Sequence, residues 1–411
     1  MDHCAQPELL SFDEAFARVL SQIAPIENTE ANSDNVSISS SLDRILTDNI
    51  YAPIDVPGAD NSAMDGYAIH IKQDTNEYSI IGEAFAGHMY SGEIQPGQAI
   101  RIMTGGVIPS GANAVVMQEN VVRNGDKILL TQTAVIKDNI RRAGEDIARN
   151  SLVLTAGTRI TALHIGLLAS LGISQINVFR KIRVALLSTG DELLQPGEVN
   201  QTGKIYDSNR FMLMALLERL NLETMDFGCV QDNPEQLEKI FLQAAEKADV
   251  IISSGGVSVG EADYTKDILL TLGAVSFYKI AMKPGKPLAF GKLKNVWFFG
   301  LPGNPVSSAV TYHQLVVPGL RQLAGEIFSV AESFPAIATA SLKKQPGRKD
   351  FQRGILSSTQ KGFEISTSGL QSSAVLSGMA KANAYIVLEQ ERGKVNAGET
   401  VQVIPFDRFI F

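Results

Sequence analysis

Carboxylate side chains follow three apolar segments of this sequence that are predicted to be strands. Asp191 and Glu192 follow the first segment, Asp232 follows the second, and Asp263 follows the third. A single carboxylate at a strand end is usually a helix cap, but carboxylates at three ends are harder to explain as caps alone. In an open α/β sheet, ligands bind at the carboxyl ends of the strands. The pattern therefore predicts a Mg²⁺ site that bridges phosphate groups, with these four residues as ligands.

The last of these carboxylates belongs to a glycine-rich segment, Ser253-Ser254-Gly255-Gly256-Val257-Ser258-Val259-Gly260-Glu261-Ala262-Asp263-Tyr264. The segment lies between a predicted buried strand and a predicted helix, an arrangement that directs backbone N–H groups at an anion. Its glycines allow the backbone to approach a ligand closely. The alternative interpretation is a plain strand-to-helix turn in which Asp263 caps the helix.

Positive charge is concentrated in a second short segment. Lys279 precedes the run Lys283-Pro284-Gly285-Lys286-Pro287, in which prolines flank the last lysine. Because proline fixes φ and cannot donate a backbone hydrogen bond, this run is a stiff loop and not a helix. Two ammonium groups on such a loop are suited to a compact dianion. The alternative is a solvated surface turn.

Two polar segments nearer the N-terminus also contain candidate functional groups. They are Asp60-Asn61-Ser62-Ala63-Met64-Asp65-Gly66-Tyr67 and Arg141-Arg142-Ala143-Gly144-Glu145-Asp146. Either segment can be a structural turn with local salt bridges. Exposed salt bridges contribute only about 0–1 kcal/mol, so stability alone is a weak reason for this composition.

Composition excludes several classes of protein. The 411 residues have a formal net charge of −8, which argues against general nucleic-acid binding but allows an anionic small substrate. The two cysteines are too few for a disulfide framework. No apolar run is as long as a membrane span, and no signal peptide is visible, so we expect a cytoplasmic protein.

The order of the predicted elements indicates an α/β multidomain fold. A capping box at Ser11 begins a helix that runs to about Ile23, and Ser41–Ile50 is predicted to be a second short helix. A β-rich block follows, with a hairpin turn at Asn124-Gly125. Residues 181–325 alternate strands with helices, which predicts a doubly wound parallel sheet covered on both faces. Short strands after Gly325 predict a small β-barrel.

Seven motifs in this order resemble the molybdopterin molybdenumtransferase family, known as MoeA in bacteria and as the E domain of gephyrin. The motifs are Pro57-Gly58-Ala59-Asp60-Asn61-Ser62-Ala63-Met64-Asp65-Gly66-Tyr67-Ala68, Arg101-Ile102-Met103-Thr104-Gly105, Arg141-Arg142-Ala143-Gly144-Glu145-Asp146, Ser188-Thr189-Gly190-Asp191-Glu192-Leu193, the glycine-rich segment, Lys283-Pro284-Gly285-Lys286-Pro287 and Gly300-Leu301-Pro302-Gly303-Asn304-Pro305-Val306-Ser307. The resemblance extends over essentially the whole chain.

The resemblance implies four domains and an elongated homodimer with the active site between subunits. The mixed N-terminal domain comprises residues 1–46 and 147–178, and an inserted β-rich domain comprises residues 47–146. Residues 179–328 form the α/β domain of the molybdopterin-binding type, and residues 329–411 form the C-terminal β-barrel. The implied reaction inserts molybdenum from molybdate into adenylylated molybdopterin with the help of Mg²⁺, and it releases AMP and the molybdenum cofactor.

The same resemblance implies roles for individual residues. The implied catalytic residues are Asp60, Thr104, Asp146, Glu192, Asp232 and Asp263. The implied metal ligands are Asp191, Glu192, Asp232 and Asp263. The implied substrate-binding residues are Arg141, Lys279, Lys283, Lys286, Pro302, Pro305, Ser307, Arg353 and Ser373, with Ser372 a near-equal alternative to Ser373. Asp60, Thr104 and Asp146 are expected to face the α/β domain of the other subunit.

Two other functions remain as alternatives. The α/β domain alone would suit an ATP-dependent molybdopterin adenylyltransferase, and that upstream enzyme is also a possible partner. A non-catalytic scaffold, as in gephyrin, is the alternative from another class, although no long linker or fused domain suggests it.

Overall fold

The computed structural model describes residues 9–256, 264–360 and 362–410. Within them the chain forms two compact units, each with its own cores. The first unit comprises Met1–Asp34, Asp43–Ile45 and Val178–Phe411, and the second comprises Asn35–Leu42 and Leu46–Asn177. The four predicted domain boundaries stay predictions.

The described residues contain these helices and strands in chain order. The α-helices are α1 (Phe12–Gln22), α2 (Ala162–Ser170), α3 (Ser208–Arg219), α4 (Pro234–Lys247), α5 (Tyr264–Leu272), α6 (Pro305–Thr311), α7 (Val317–Leu323) and α8 (Leu376–Lys381). The strands are β1 (Ser33–Ser37), β2 (Ile50–Tyr51), β3 (Asn61–Ser62), β4 (Gly66–Ile69), β5 (Glu77–Ala84), β6 (Gln98–Ile102), β7 (Ala114–Met117), β8 (Val121–Asn124), β9 (Lys127–Leu130), β10 (Ile140–Arg141), β11 (Leu152–Leu154), β12 (Gln175–Phe179), β13 (Arg183–Thr189), β14 (Leu193–Leu194), β15 (Ile205–Tyr206), β16 (Glu223–Val230), β17 (Val250–Ser254), β18 (Gly273–Lys279), β19 (Met282–Lys283), β20 (Pro287–Leu293), β21 (Val296–Leu301), β22 (Phe334–Ala338), β23 (Lys349–Thr359), β24 (Gly362–Thr367), β25 (Ala384–Leu388) and β26 (Thr400–Pro405).

The first unit is built on a six-stranded sheet in the order β16-β13-β17-β21-β20-β18. The first four strands are parallel, and β20 and β18 add an antiparallel edge. Val184 and Leu186 face a core shared with α3, whereas Ala185 and Leu187 face a core shared with α4 and α5. Both faces are therefore covered, which confirms the doubly wound fold. The antiparallel edge strands were not expected from the sequence.

A closed barrel follows in the same unit. Its strands run β23-β24-β22-β26-β25, and a further pairing between β23 and β25 closes the ring. Buried aliphatic side chains such as Ile365, Ile386 and Val403 fill the barrel. The predicted C-terminal β-barrel is thereby confirmed.

The second unit contains a six-stranded sheet in the order β7-β4-β6-β5-β9-β8. Tyr67 and Ile69 on β4 belong to one core and Ala68 to another, so both faces of this sheet are covered as well. The predicted hairpin joins β8 to β9, with Asn124 opposite Lys127. The two-residue turn is therefore Gly125-Asp126, one position later than predicted.

Local capping rules explain some helix ends and correct others. Ser11 and Glu14 form the predicted capping box at the start of α1. The helix predicted over Ser41–Ile50 is wrong, because Asp43 has a left-handed φ of 63° that interrupts helical geometry. The sequence predicts that Ser208-Asn209 cap a helix over Arg210–Leu220. The cap of α3 is instead Asp207, one residue earlier, and its carboxylate accepts a hydrogen bond from the Arg210 backbone N–H.

A close backbone contact in the second unit gives a direct test of this sheet. A Cβ atom at Gly66 would lie 2.0 Å from the Val116 carbonyl oxygen, because β4 is held between β6 and β7. We expect Gly66→Ala to destabilise the second unit by about 1–3 kcal/mol, measured by calorimetric unfolding of the full chain. Gly166→Ala on exposed α2, where a Cβ meets no atom within 4 Å, is the matched control and should be neutral or slightly stabilising. An unchanged unfolding temperature in Gly66→Ala would contradict the packing described here.

Candidate active site

A cleft of about 630 Å³ opens at the carboxyl ends of the four parallel strands of the first unit. This is the edge at which open α/β sheets bind ligands. Its lining is Thr189, Gly190, Glu192, Asp232, Gly255, Gly256, Lys283, Pro284, Gly285, Lys286, Pro287, Pro302, Gly303, Asn304, Ser307, Arg348, Gln371, Ser372 and Ser373.

Acidic side chains occupy one wall of the cleft. Glu192 and Asp232 line it, each just beyond a strand, and both are exposed to solvent. The Thr189 hydroxyl donates a hydrogen bond of 2.5 Å to Asp232 Oδ1. Asp191 does not line the cleft, and its Oδ1 instead accepts a hydrogen bond of 3.2 Å from the Asp232 backbone N–H. Asp191 thus orients the loop that carries Asp232.

Glycines at the end of β17 bring the backbone up to this wall. Gly255 has φ of 92°, and a Cβ there would lie 2.4 Å from the Thr189 carbonyl oxygen. Only glycine permits that approach without strain. Residues 257–263 of the glycine-rich segment, including Asp263, lie outside the described residues, so the predicted role of Asp263 stays a prediction.

Buried Asn209 joins two loops of the cleft. Its amide Nδ2 donates to Ser254 Oγ and to the Gly303 carbonyl oxygen, each at 2.8 Å. The sequence interpretation made Asn209 a helix cap, but Asp207 fills that role and the Asn209 side chain points inward. Its Oδ1 has no hydrogen-bond partner among the described residues. Asn209 therefore fixes the loop that follows β17 relative to the loop that follows β21, which we call the β17 loop and the β21 loop.

The predicted stiff loop, Lys283-Pro284-Gly285-Lys286-Pro287, forms the facing wall, and we call it the lysine loop. Lys283 and Lys286 both line the cleft. The loop is closed by a hydrogen bond of 2.7 Å from the Ile280 N–H to the Lys286 carbonyl oxygen. Short strand β19 pairs with barrel strand β23, which sets Lys283 opposite Asp350, with the charged atoms 3.7 Å apart. The two lysines are thus held by the sheet on one side and the barrel on the other.

The remaining wall combines the β21 loop with a barrel loop. Pro302, Ser307 and Ser373 line the cleft, as does the alternative residue Ser372. The Val306 N–H donates to the Ser373 carbonyl oxygen at 3.0 Å, which joins the two loops. The structure thus brings three of the predicted substrate-binding residues together with Lys283 and Lys286.

Three other predicted substrate-binding residues of this unit lie outside the cleft lining. Lys279 pairs with Pro287 between β18 and β20, and Pro305 begins α6. Arg353 is buried at 1% exposure and lines a neighbouring cavity of about 370 Å³. Its Nη2 donates to the Ser372 carbonyl oxygen at 3.0 Å, and its Nε has no partner among the described residues. Burial lowers the pKa of Arg353, an effect that Tyr385 and Asp350 partly oppose.

The predicted residues of the second unit surround short strand β3. Asp60 precedes β3, and its carboxylate accepts a 2.8 Å hydrogen bond from the Ala143 N–H. Arg141 on β10 pairs with Asn61 on β3. Thr104 follows β6, and its N–H and hydroxyl both donate to Asp65 Oδ1 at 2.7 Å. These two bonds lower the pKa of Asp65 despite a small opposing effect of burial.

Asp146 completes this set. Its backbone N–H donates to the Val56 carbonyl oxygen at 3.0 Å, which ties it to the segment before β3. The side chains of Asp60, Thr104, Arg141 and Asp146 are all exposed. Within the second unit they therefore present one mixed group of charged and hydroxyl side chains to solvent.

The carboxylates are few for a metal site formed by protein alone. Within residues 9–256, 264–360 and 362–410, no three His, Cys, Asp or Glu side chains are grouped to hold a metal ion. Mg²⁺, however, is usually bound through one or two carboxylates together with substrate phosphates. Glu192 and Asp232 in an open cleft fit that mode of binding.

Sequence reasoning missed some residues of the cleft. Arg348 lines it, but it lies in the run Arg348-Lys349-Asp350, which has the composition of an ordinary exposed turn. Gln371 lines it too, and its Oε1 accepts a hydrogen bond from the Arg353 N–H at 2.8 Å. No spacing pattern marks either residue, because tertiary contacts with the barrel bring them to the cleft.

The helices of the described ranges are all too short or too polar to span a lipid bilayer.

Family models match three consecutive parts of the chain. Residues 10–172 match the MoeA N-terminal region (domain I and II), residues 185–322 match a probable molybdopterin binding domain, and residues 335–406 match the MoeA C-terminal region (domain IV). The motifs that suggested the resemblance lie within these matches.

Individual relatives match over nearly the full length. A molybdopterin molybdenumtransferase of Haemophilus influenzae is 46% identical, covering 98% of this chain and all of the relative. One from Nostoc sp. is 33% identical over 94% of this chain and 92% of its own. The crystal structure of a molybdopterin biosynthesis MoeA protein from Pyrococcus horikoshii superposes with a TM-score of 0.84 at 28% identity, covering 97% of this chain and all of that one. From its motifs, its fold and these relatives, the chain belongs to the molybdopterin molybdenumtransferase (MoeA) family.

Proposed function

We propose that this protein is an enzyme that inserts molybdenum into molybdopterin during synthesis of the molybdenum cofactor. The substrates we propose are molybdate and adenylylated molybdopterin, and the products are the molybdenum cofactor and AMP. The observation that best supports this reaction is the cleft of the first unit, where Glu192 and Asp232 lie in the same lining as Lys283 and Lys286.

Charge of both signs suits a reaction between two anions. Lys283 and Lys286 offset the repulsion between molybdate and the phosphates of the pterin nucleotide. A reaction that joins two bound groups gains from positioning, and charge that develops as the phosphoanhydride breaks is stabilised by preorganised donors. The Ser307 hydroxyl is a further donor in this cleft.

We propose that Mg²⁺ binds with the nucleotide. Glu192 and Asp232 would hold it, and Asp191 would orient Asp232 through the hydrogen bond to its backbone. When bound, the ion supplies positive charge that neutralises phosphate oxygens. Asp263 remains a proposed third ligand.

We also propose roles for the residues outside the cleft lining. Arg353 would hold an oxyanion, since its buried Nε lacks a partner among the described residues. Lys279, the last residue of β18, would support the lysine loop, and Pro305, the first residue of α6, would support the β21 loop. Of Lys279, Pro305 and Arg353, only Arg353 would then contact substrate.

The exposed group around β3 motivates a proposal about assembly. Asp60, Thr104, Arg141 and Asp146 belong to a different unit from the cleft, yet the family resemblance gives them catalytic or binding roles. We propose a cytoplasmic homodimer in which this group completes the active site of the partner subunit. We further propose that the upstream molybdopterin adenylyltransferase supplies the adenylylated substrate.

The proposed reaction is tested by incubating the protein with adenylylated molybdopterin, Mg²⁺ and molybdate. We expect AMP release that depends on molybdate. Adenylylation of free molybdopterin by ATP, without any effect of molybdate, would instead favour an adenylyltransferase.

Lys286→Ala tests the assignment of the oxyanion to the lysine loop. Loss of one charged contact should lower kcat/KM for molybdate roughly 30-fold or more, which corresponds to about 2 kcal/mol of barrier. The Kd for adenylylated molybdopterin, measured by fluorescence, should change far less. Lys239→Ala on α4, an exposed lysine outside the cleft, is the control. An unchanged molybdate dependence in Lys286→Ala would count against this assignment.

A mixing experiment tests the proposed shared site. Asp60→Ala and Asp232→Ala should each abolish AMP release as homodimers. After subunit exchange, a heterodimer would contain one site with both substitutions and one site with neither, so random mixing should restore roughly a quarter of wild-type activity. If both residues instead serve one site within a single chain, mixing restores nothing.

A further inference from the structure

A second cavity, which we call the side cavity, adjoins the cleft on its barrel side. Its volume is about 320 Å³, and its lining is Lys283, Lys343, Lys344, Gln345, Pro346, Arg348 and Asp350. Lys283 and Arg348 also line the cleft, so the two spaces are neighbours within the first unit.

The lining is strongly cationic for this protein. It contains four basic side chains and one carboxylate, a formal charge of +3, whereas the whole chain has −8. A concave site of one sign concentrates ligands of the opposite sign and accelerates their capture. The excess positive charge therefore favours an anion.

The single carboxylate is already engaged. Asp350 is 2% exposed, lies 3.7 Å from Lys283 Nζ, and accepts a hydrogen bond of 3.3 Å from Gln352. Asp350 therefore offsets the charge of Lys283. For Lys343 and Arg348, no ion pair with a carboxylate is found in the described part of the chain.

Buried Lys344 holds the loop that forms the cavity. Its Nζ donates to the carbonyl oxygens of Gln345, Arg348 and Gln390, at 2.8, 2.6 and 3.3 Å. These bonds fix the turn before β23 and hence the backbone of Arg348. The loop that lines the cavity is thus held in place by hydrogen bonds. The side chains of Lys343 and Arg348 remain available to a ligand.

We propose that the side cavity is a second oxyanion-binding site, in which Lys343 and Arg348 bind a tetrahedral dianion. The planar guanidinium of Arg348 suits two oxygens of such an ion, and Lys343 adds a mobile point charge. Given the proposed function, on which this part rests, the dianion is molybdate, held beside the cleft before it moves past Lys283.

Calorimetric titration of the full-length protein with molybdate tests the site without measuring activity. We expect two sites per chain in the wild type and one in K343A/R348A. The control K239A/K247A removes two exposed lysines from α4 and should keep both sites. The charge-preserving K343R/R348K should also keep both, which separates loss of charge from loss of fold.

Two results would overturn the proposal. One is a wild-type protein with a single molybdate site, and the other is K343A/R348A that binds molybdate as the control does. Parallel titrations with phosphate identify the ligand. If the second site binds phosphate and not molybdate, it serves a phosphate group and the assignment to molybdate is wrong.

Kinetics distinguish failure of this site from failure of the proposed reaction. K343A/R348A should raise the KM for molybdate roughly fivefold or more, because contacts between partly exposed charges are lost. The factor by which KM rises should exceed the factor by which kcat falls. If the protein binds two molybdate ions per chain but releases no AMP in response to molybdate, the proposed reaction is wrong and the second site is retained. If AMP is released but the KM of K343A/R348A for molybdate is unchanged, the second site is wrong and the proposed reaction is retained.

Discussion

The candidate site depends on the parallel pairing of Met282–Lys283 with Lys349–Asp350. This short pairing joins the α/β sheet to the barrel at the point where the lysine loop leaves β18. It fixes Lys283 beside Asp350 and, through the Ile280–Lys286 hydrogen bond, fixes Lys286 as well. Without it, Lys283 would lose the nearby carboxylate of Asp350 that offsets its charge. The pairing also brings Arg348 to the cleft, so one contact sets the positive wall.

The opposite wall follows from the geometry of a parallel sheet. Strands β13, β16, β17 and β21 all end at one edge, so the polar residues after them meet there whatever their separation in sequence. The ends of these strands supply the acidic groups, and the segment between β18 and β20, which pairs with the barrel through β19, supplies the two lysines. Contacts with the barrel, at the β19–β23 pairing and at the Val306–Ser373 hydrogen bond, hold the lysine segment and the loop after β21 in place around the cleft.

Much of this arrangement was predictable because it depends on local rules. The capping box of α1, the alternation of strands and helices, and the stiffness of Lys283-Pro284-Gly285-Lys286-Pro287 each depend on neighbouring residues. The rest depends on contacts between distant segments. Asn209 resembles a cap in sequence but joins two loops in space, and Arg348 reaches the cleft only because β23 pairs with β19. The error at Ser41–Ile50 has the same origin, since a single left-handed residue overrides a helical pattern.

A crystal structure of the protein grown with molybdate, AMP and Mg²⁺, with data collected at the molybdenum absorption edge, tests the proposed cleft most directly. We expect an anomalous peak within contact distance of Lys283 or Lys286, and AMP phosphate on the side of Glu192 and Asp232. Molybdenum bound only elsewhere, with the lysine loop unoccupied in crystals that contain AMP in the cleft, would contradict it.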